Sequence, residues 1–190
     1  IKRRVRSKGS WIVKKLIQLR DIKLKNPDTI FTDRRQFMFL GKSYLLRILK
    51  NGRKIPKVFF IEDRFSMELY EIDYERMKKA MEKWYRKKAD RIINDRVEVY
   101  VHIIGKRPKV VKVKEQKRRW GSCTARGNLY FNWRCIMAPP QVIDYIVVHE
   151  MSHLVHPDHS KRFWQKVESI IPDYKKRRKW LKYNGLRLDI

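Results

Sequence analysis

Four of the chain's five histidines lie within eleven residues, in the stretch HEMSHLVHPDH at positions 149–159. His149 and His153 are four positions apart, so on a helix they share a face and can bind the same ion. Glu150 directly follows His149 and completes the pattern HExxH. In this pattern two imidazoles hold a metal, and the glutamate accepts a proton from the water that the metal activates. The spacing therefore predicts a metal site with Glu150 as the general base.

The surrounding sequence indicates that this pattern lies on a buried helix. The apolar stretch VIDYIVV (142–148) comes directly before His149, and two prolines suited to a first helical turn precede it. Pro157 predicts the end of the helix, because the residue before a proline avoids the α region. Buried polar side chains need partners, so two histidines beside a glutamate favour a bound ion over an ordinary core histidine.

A catalytic zinc site needs a third protein ligand and leaves its fourth position open. His159 lies beyond Pro157, where the chain is expected to turn back before Ser160, and is the predicted third ligand. His156 is the rival, and Glu168 is a weaker alternative. The group that stabilises the oxyanion stays open, and the candidates near the metal or facing substrate are Tyr145, His156, Arg119 and Tyr174.

Four segments together resemble the YgjP-like metallopeptidase domain, a relative of the SprT-like and WLM zinc proteases: RWGSC (119–123), NWR (132–134), HEMSHLVHPDHSKRFW (149–164) and PDYK (172–175). The similarity runs from about Phe37 to about Leu181. It implies a small zincin-like fold in which His149, His153 and His159 bind Zn²⁺ and Glu150 is the general base. It also implies that RWGSC forms a strand near the cleft, where an extended peptide can pair. Metzincin proteases share the histidine spacing, but no methionine follows Met151 to form their Met-turn.

The periodicity of the chain predicts an α+β fold, with a mixed or antiparallel sheet packed against the HExxH helix and C-terminal helices. We expect residues 1–36 to form a basic helix and connector, and residues 37–190 to form the zincin-like metallopeptidase domain. Two strand pairs are expected about Gly41–Lys42 and Glu62–Asp63, and then a helix from Asp73 to about Asn94. Strands are expected next in VEVYVHII (97–104), KVVKVKEQ (109–116) and NLYFNW (128–133), and then helices after Pro140, Ser160 and Pro172.

The charge balance predicts attraction to polyanions. The chain has 48 Lys and Arg against 20 Asp and Glu, a formal net charge of +28. The candidate contacts to DNA or another polyanion are Lys112, Lys114, Lys117, Arg118, Lys176, Arg177 and Arg178. Because SprT-like and WLM proteases cleave proteins trapped on DNA, the resemblance makes nucleic-acid-associated proteins a candidate substrate class.

Cys123 and Cys135 lack the spacing or number of a disulfide framework, so reduced thiols and a cytoplasmic location are expected. No apolar run is long enough to cross a membrane. The predicted function is a zinc-dependent metallopeptidase acting on proteins or peptides. One alternative is a basic nucleic-acid-binding protein with a structural zinc site that includes His156, and another is a metal hydrolase for a non-peptide amide or ester.

Overall fold

A computed structural model describes Gly9, Phe31 and residues 34–116 and 118–190. By its contacts, the chain separates after residue 31, and the elements below belong to the unit of residues 32–190. The basic N-terminal helix predicted within residues 1–36 lies outside the described residues, and the boundary between residues 36 and 37 stays a prediction.

The first sheet has the strand order β1-β2-β4-β3. Its strands are β1 (Gln36–Phe39), β2 (Lys42–Lys50), β3 (Lys57–Ile61) and β4 (Arg64–Leu69). β1 pairs with β2 and β3 pairs with β4 in antiparallel hairpins, whereas β2 and β4 are parallel. Both predicted hairpins are therefore confirmed; the second turns at Glu62–Asp63 as predicted, and the first turns one residue earlier than predicted, at Leu40–Gly41.

A long helix, α1 (Tyr74–Ile104), follows this sheet. The Asp73 carboxylate caps its N-terminus by accepting a hydrogen bond from the Arg76 amide at 3.0 Å. Gly105, with φ of +79°, ends the helix. The buried side chains recur every three or four residues: Met77, Met81, Tyr85, Ala89, Ile93, Val97, Tyr100, Val101 and Ile104.

The strand predicted for VEVYVHII is wrong, because α1 continues through it to Ile104. Its valines and isoleucines are typical of strands. In the fold, however, Val97 and Val101 extend the buried stripe of α1, while Val99 and Ile103 are about half exposed. Packing of this stripe against the rest of the fold outweighs the intrinsic preference of β-branched residues.

The second sheet contains β5 (Val110–Lys114), β6 (Gly121–Cys123) and β7 (Asn128–Asn132) in the order β5-β7-β6. β5 is parallel to β7, and β6 is antiparallel to it. β6 thus lies at an edge of the sheet, as far as the described residues show. A short 3-10 helix, Trp133–Met137, leads from β7 towards the next helix.

Three helices complete the described chain: α2 (Pro140–Ser152), α3 (Lys161–Ile170) and α4 (Tyr174–Asn184). α2 carries the HExxH pattern and contacts α1, α3, α4 and β6. It is buried nearly all round, as VIDYIVV predicts. Arg96 of α1 donates to Asp144 of α2 at 2.5 Å, which links the long helix to the helix of the site.

The predicted α+β class is confirmed, with two mixed sheets in the described residues in place of the single sheet expected. Within the same part of the chain, no helix has both the length and the apolar character of a bilayer-crossing segment.

Candidate active site

Three histidines converge at the C-terminal end of α2. His149 lies in the last turn of α2, His153 lies where the helix ends, and His159 comes from the loop before α3. Each histidine offers one ring nitrogen, and these three nitrogens all lie within 4.8 Å of one another. The Nε2 atoms of His149 and His159 are 3.1 Å apart. Two nitrogens on a tetrahedral zinc would be separated by about 3.3 Å at ordinary bond lengths, so His149 and His159 are spaced as two ligands of one such ion would be.

The chain returns to the site after a last tight turn, which follows the end of α2 at Ser152 and does not extend past His156. The amides of Val155 and His156 bond to the Ser152 carbonyl and form a last tight turn. Pro157 follows, which has no amide hydrogen to donate and whose ring would obstruct a further turn. This turn places His159 in front of the face of α2 from which His149 and His153 project, so that the three imidazoles meet.

His153 is oriented by a hydrogen bond to the main chain. Its Nδ1 lies 3.1 Å from the carbonyl oxygen of His156, which can only accept. Nδ1 therefore carries the proton, and the lone pair of Nε2 is available for a metal. His156 thus contributes its carbonyl group to the site, while its ring is not part of the described histidine cluster.

Two aromatic side chains from the start of α3 pack against the triad. The Phe163 ring is fully buried and lies 4.5 Å from the ring of His153, 5.0 Å from that of His149 and 4.8 Å from that of His159, measured between centroids. Trp164 stacks on the exposed His159 ring at 5.7 Å. These contacts restrict the three imidazoles before any ion binds.

His149 is held in its neutral form. Burial lowers the pKa of His149 to about 3, and the neighbouring charges of His153, His159 and Arg178 act in the same direction. Its Nδ1 is buried and has no hydrogen-bond partner among the residues that the structure describes. The ring is therefore positioned by packing against Phe163 and Tyr145, and its electron pair stays free to bind a cation.

Glu150 points to a different neighbour, the strand β6. A Cβ atom placed on Gly121 would lie 2.5 Å from Cγ of Glu150 and 2.8 Å from its Oε1, so only glycine leaves room for this carboxylate. Burial raises the pKa of Glu150 to about 7, although the charge of Arg119 lowers it in part. A carboxyl group with this pKa can both accept and release a proton near neutral pH.

The two cysteines lie near Glu150 but belong to no metal cluster among the described residues. Burial and the Glu150 charge raise the pKa of both the Cys123 and the Cys135 thiol. Cys135 is fully buried and donates to the Trp120 carbonyl at 3.2 Å. Protonated thiols are poor metal ligands, so this pair packs beside the site.

The remaining candidates occupy distinct places. The Tyr145 ring lies 5.8 Å from that of His149, and burial raises the pKa of Tyr145 to about 12. Tyr174 stacks on Trp164 at 5.3 Å, one ring further from the triad. Glu168, the weaker alternative for a ligand, is exposed and pairs with Lys175.

The candidate polyanion contacts are not equally free to bind. Lys112, Lys114 and Arg118 are exposed on and after β5, and so is Lys176 at the start of α4, whereas Lys117 lies outside the described residues. Arg177 is mostly buried by its ion pair with Asp173 and its bond to the Gln141 carbonyl. Arg178 lies 4.9 Å from the centre of the Trp164 ring, beside the triad.

Sequence reasoning missed several neighbours of the triad: Gly121, Phe163, Trp164 and the placement of Arg178. All but Arg178 lie in the segments RWGSC and HSKRFW, whose resemblance to a family was the available signal. Their contacts depend on how β6 and α3 pack on α2, which no local pattern encodes.

Comparison with known proteins identifies a family for this chain. Residues 1–184 match the family described as YgjP-like, metallopeptidase domain, so the match begins well before the segment where the sequence motifs lie. A crystal structure of the metallopeptidase zymogen of Pyrococcus abyssi abylysin is similar over 47% of this chain and 93% of its own, with 24% identity and a TM-score of 0.43. None of the curated proteins compared with the chain matches it.

The family match covers nearly the whole chain and includes the three clustered histidines and the adjacent buried glutamate. The chain belongs to the YgjP-like metallopeptidase domain family and carries a metal-binding histidine triad.

Proposed function

We propose that the chain is a zinc-dependent peptidase in which His149, His153 and His159 hold the ion and Glu150 is the general base. The observation that carries this proposal is the convergence of three imidazoles within 4.8 Å, together with the burial of Glu150, which directly follows His149 in the sequence. Three nitrogen ligands with a fourth position left open are typical of catalytic zinc, whereas structural zinc sites are usually closed by four protein ligands.

Each residue of the site has a task that its environment supports. Bound zinc would polarise the scissile carbonyl and lower the pKa of a water molecule beside it. Glu150, with a pKa near 7, accepts the proton of the attacking water and passes it to the leaving amine. His153 stays in one tautomer because the His156 carbonyl holds its Nδ1 proton. The Phe163 ring contacts all three imidazoles and restricts their orientation.

The substrate is proposed to bind along β6. This strand lies at the edge of its sheet and contacts the helix that carries Glu150. An edge strand presents unpaired amide and carbonyl groups, to which an extended peptide can add as a further strand. Gly121 lies in β6 and touches Glu150, so a peptide paired there would pass close to the general base.

Tyr145 is a candidate donor to the developing oxyanion. Its hydroxyl is protonated at neutral pH, as a tyrosine ordinarily is, burial raises its pKa further to about 12, and its ring contacts His149. Preorganised donors of this kind contribute on the order of 10²–10³ in rate in other hydrolases. Arg119 and Tyr174 remain alternatives.

The more specific hypothesis that the substrates are proteins associated with nucleic acid rests on the charge of the chain. The exposed side chains of Lys112, Lys114 and Arg118 follow one another along and after β5, and the net charge of the chain is +28. Binding of a duplex should then weaken steeply with salt, since each phosphate contact releases a counterion. A shallow slope of log affinity against log salt would count against this surface.

The decisive experiment compares the wild-type chain with Glu150→Gln after loading with zinc. The proposal predicts about one zinc per chain in both proteins, and hydrolysis of casein or a fluorogenic peptide by the wild type alone. A structural-zinc protein would hydrolyse neither substrate. A hydrolase of another amide or ester would cleave small amide or ester probes and leave peptides intact.

A further inference from the structure

A concave surface that shares no lining residue with the triad lies between the edge strand β3 and the helix α1. Its volume is about 630 Å³, and we call it the β3–α1 groove. The apolar part of its lining includes Val58, Phe59, Phe60, Ala80 and Trp84. An adjoining cavity of about 470 Å³ shares Ile55, Pro56, Ala80 and Lys83 with it and so extends the same groove.

The charged residues that line the groove are all cationic in the described part of the chain. Neither cavity is lined by a described Asp or Glu, and together they are lined by the lysines Lys54, Lys57, Lys79, Lys83, Lys87 and Lys88. Arg53 pairs with Glu68 and Arg76 with Asp73, but no ion pair among the described residues includes one of these six lysines. The groove therefore presents positive charge that the described residues do not neutralise.

Three of these lysines form a row on α1. Lys79, Lys83 and Lys87 are spaced at i, i+4 and i+8, so they follow one face over about 12 Å. Like charges four residues apart destabilise a helix. A ligand with negative charges at a similar spacing would relieve this repulsion.

The other wall of the groove is a strand with an open edge. β3 pairs with β4 and lies at the end of the sheet order, so its second edge has no strand partner among the described residues. Its residues Val58, Phe59 and Phe60 are only partly buried. Such an edge can accept an additional extended chain through backbone hydrogen bonds, with alternate side chains of that chain entering the apolar cavity.

The aromatic rings of the groove are poorly placed to stack on nucleic-acid bases. The Lys57 ammonium lies 4.8 Å from the centre of the Phe59 ring, and that of Lys88 lies 5.7 Å from the Trp84 ring. Phe60 packs edge-on against Phe65. Base stacking needs free aromatic faces, so the groove suits a peptide better than a single-stranded nucleic acid.

We propose that the β3–α1 groove binds an extended acidic peptide segment, which adds a strand to β3 and places an apolar side chain between β3 and α1. The carboxylates of this segment pair with the lysine row of α1 and with Lys57. The site is separate from the histidine triad, and its occupancy does not require that the chain hydrolyse anything.

The test uses the full chain with Glu150→Gln, so that no probe is cleaved, and a fluorescein-labelled peptide of about eight residues that alternates Glu and Leu. Fluorescence anisotropy gives its Kd. The double variant Lys83→Glu/Lys87→Glu should bind this peptide at least about tenfold more weakly, because two attractive contacts become repulsive. It should also bind a peptide that alternates Lys and Leu more tightly than the parent does.

The matched control is Lys179→Glu/Lys182→Glu on α4, where both lysines are exposed and the change in net charge is the same. Its Kd for the acidic peptide should stay within about twofold of the parent value. Equal weakening in both double variants would show attraction to net charge alone and would overturn the proposal. Thermal unfolding by circular dichroism checks that each variant folds, and Lys83→Gln/Lys87→Gln replaces the reversal if it does not.

Two further probes test the mode of binding. A peptide methylated on alternate backbone nitrogens should bind at least about tenfold more weakly, since it cannot complete the strand, and equal binding would refute strand addition. An oligothymidylate should not displace the acidic peptide. If it does, and if its affinity falls in the same groove variant, the groove is a nucleic-acid site and the proposal is wrong.

Discussion

Gly121→Ala should displace the carboxylate of Glu150, the proposed general base, without removing a metal ligand. A methyl group at position 121 would lie 2.5 Å from Cγ and 2.8 Å from Oε1 of Glu150, whereas ordinary contact begins at about 3.4 Å. The carboxylate must therefore move by about 1 Å. A misplacement of this size costs on the order of 10²-fold in rate, which corresponds to about 2.7 kcal/mol of transition-state stabilisation.

The same substitution should leave the metal site intact. The three atoms nearest to the new methyl group all belong to the side chain of Glu150. We expect a moderate loss of about 1–3 kcal/mol in the free energy of unfolding from overpacking. The variant should bind zinc as the wild type does, while its kcat/KM for a fluorogenic peptide falls about a hundredfold.

The assay combines zinc content by mass spectrometry, kcat/KM and urea unfolding of each zinc-loaded protein. Ser122→Ala is the matched control, because it changes the next residue of β6 without adding an atom. Unchanged kcat/KM in Gly121→Ala would refute the role assigned to the position of Glu150. Loss of zinc and activity together would show that Gly121 supports the triad instead of the carboxylate.

Three further predictions follow from the same geometry. His159→Ala should lose zinc affinity, whereas His156→Ala should retain it, because His156 contributes its carbonyl group and not its ring. Zinc titration against a chelator measures the affinity of both variants. Equal loss of affinity in the two would contradict the choice of His159 as the third ligand. Phe163→Ala should lower the free energy of unfolding by about 3–5 kcal/mol, as expected for a fully buried phenylalanine, and should also weaken zinc binding. Denaturant unfolding with and without zinc tests this prediction. An unchanged zinc affinity would show that the triad does not need the Phe163 ring. Burial raises the pKa of Glu115, but hydrogen bonds from Trp133 and Arg134 and the charges of Arg134 and Arg86 lower it, and overall the pKa lies below its ordinary value of 4.5. The ionised carboxylate therefore stabilises the fold above pH 4.5, and this stabilisation is lost as the pH falls through the folded-state pKa. Glu115→Gln should therefore be less stable than the wild type by roughly 1 kcal/mol at pH 7, a value limited by solvent screening, and the difference should shrink below pH 4.5; a gap that is independent of pH in urea unfolding would contradict this reasoning.

The sequence predicted the centre of the site because its chemistry is local. His149 and His153 share a helical face by their spacing alone, and Pro157 forces the turn that returns His159 to them. The hairpins that turn at Leu40–Gly41 and Glu62–Asp63 were predictable to within one residue for a similar reason, since short turns depend on a few adjacent residues.

The sequence is least informative where tertiary packing decides. The strand predicted for residues 97–104 is wrong, because the buried face of α1 continues through Val97 and Val101. The polyanion contact of Arg177 stays a prediction, and local patterns did not indicate that Asp173 and the Gln141 carbonyl engage its guanidinium. The contact between Gly121 and Glu150 joins residues 29 positions apart and requires β6 to pack on α2, which no sequence period reveals.

In the proposed site, three imidazoles hold one zinc ion and leave a position open for substrate. Zinc-edge X-ray absorption on the purified, zinc-loaded full chain measures this directly, because it reports the number and type of ligand atoms. We expect about one zinc per chain, with three imidazole nitrogens at about 2.0–2.1 Å and a further light-atom ligand from solvent. A sulfur shell at about 2.3 Å, a set of four imidazoles, or the absence of stoichiometric zinc would contradict the account.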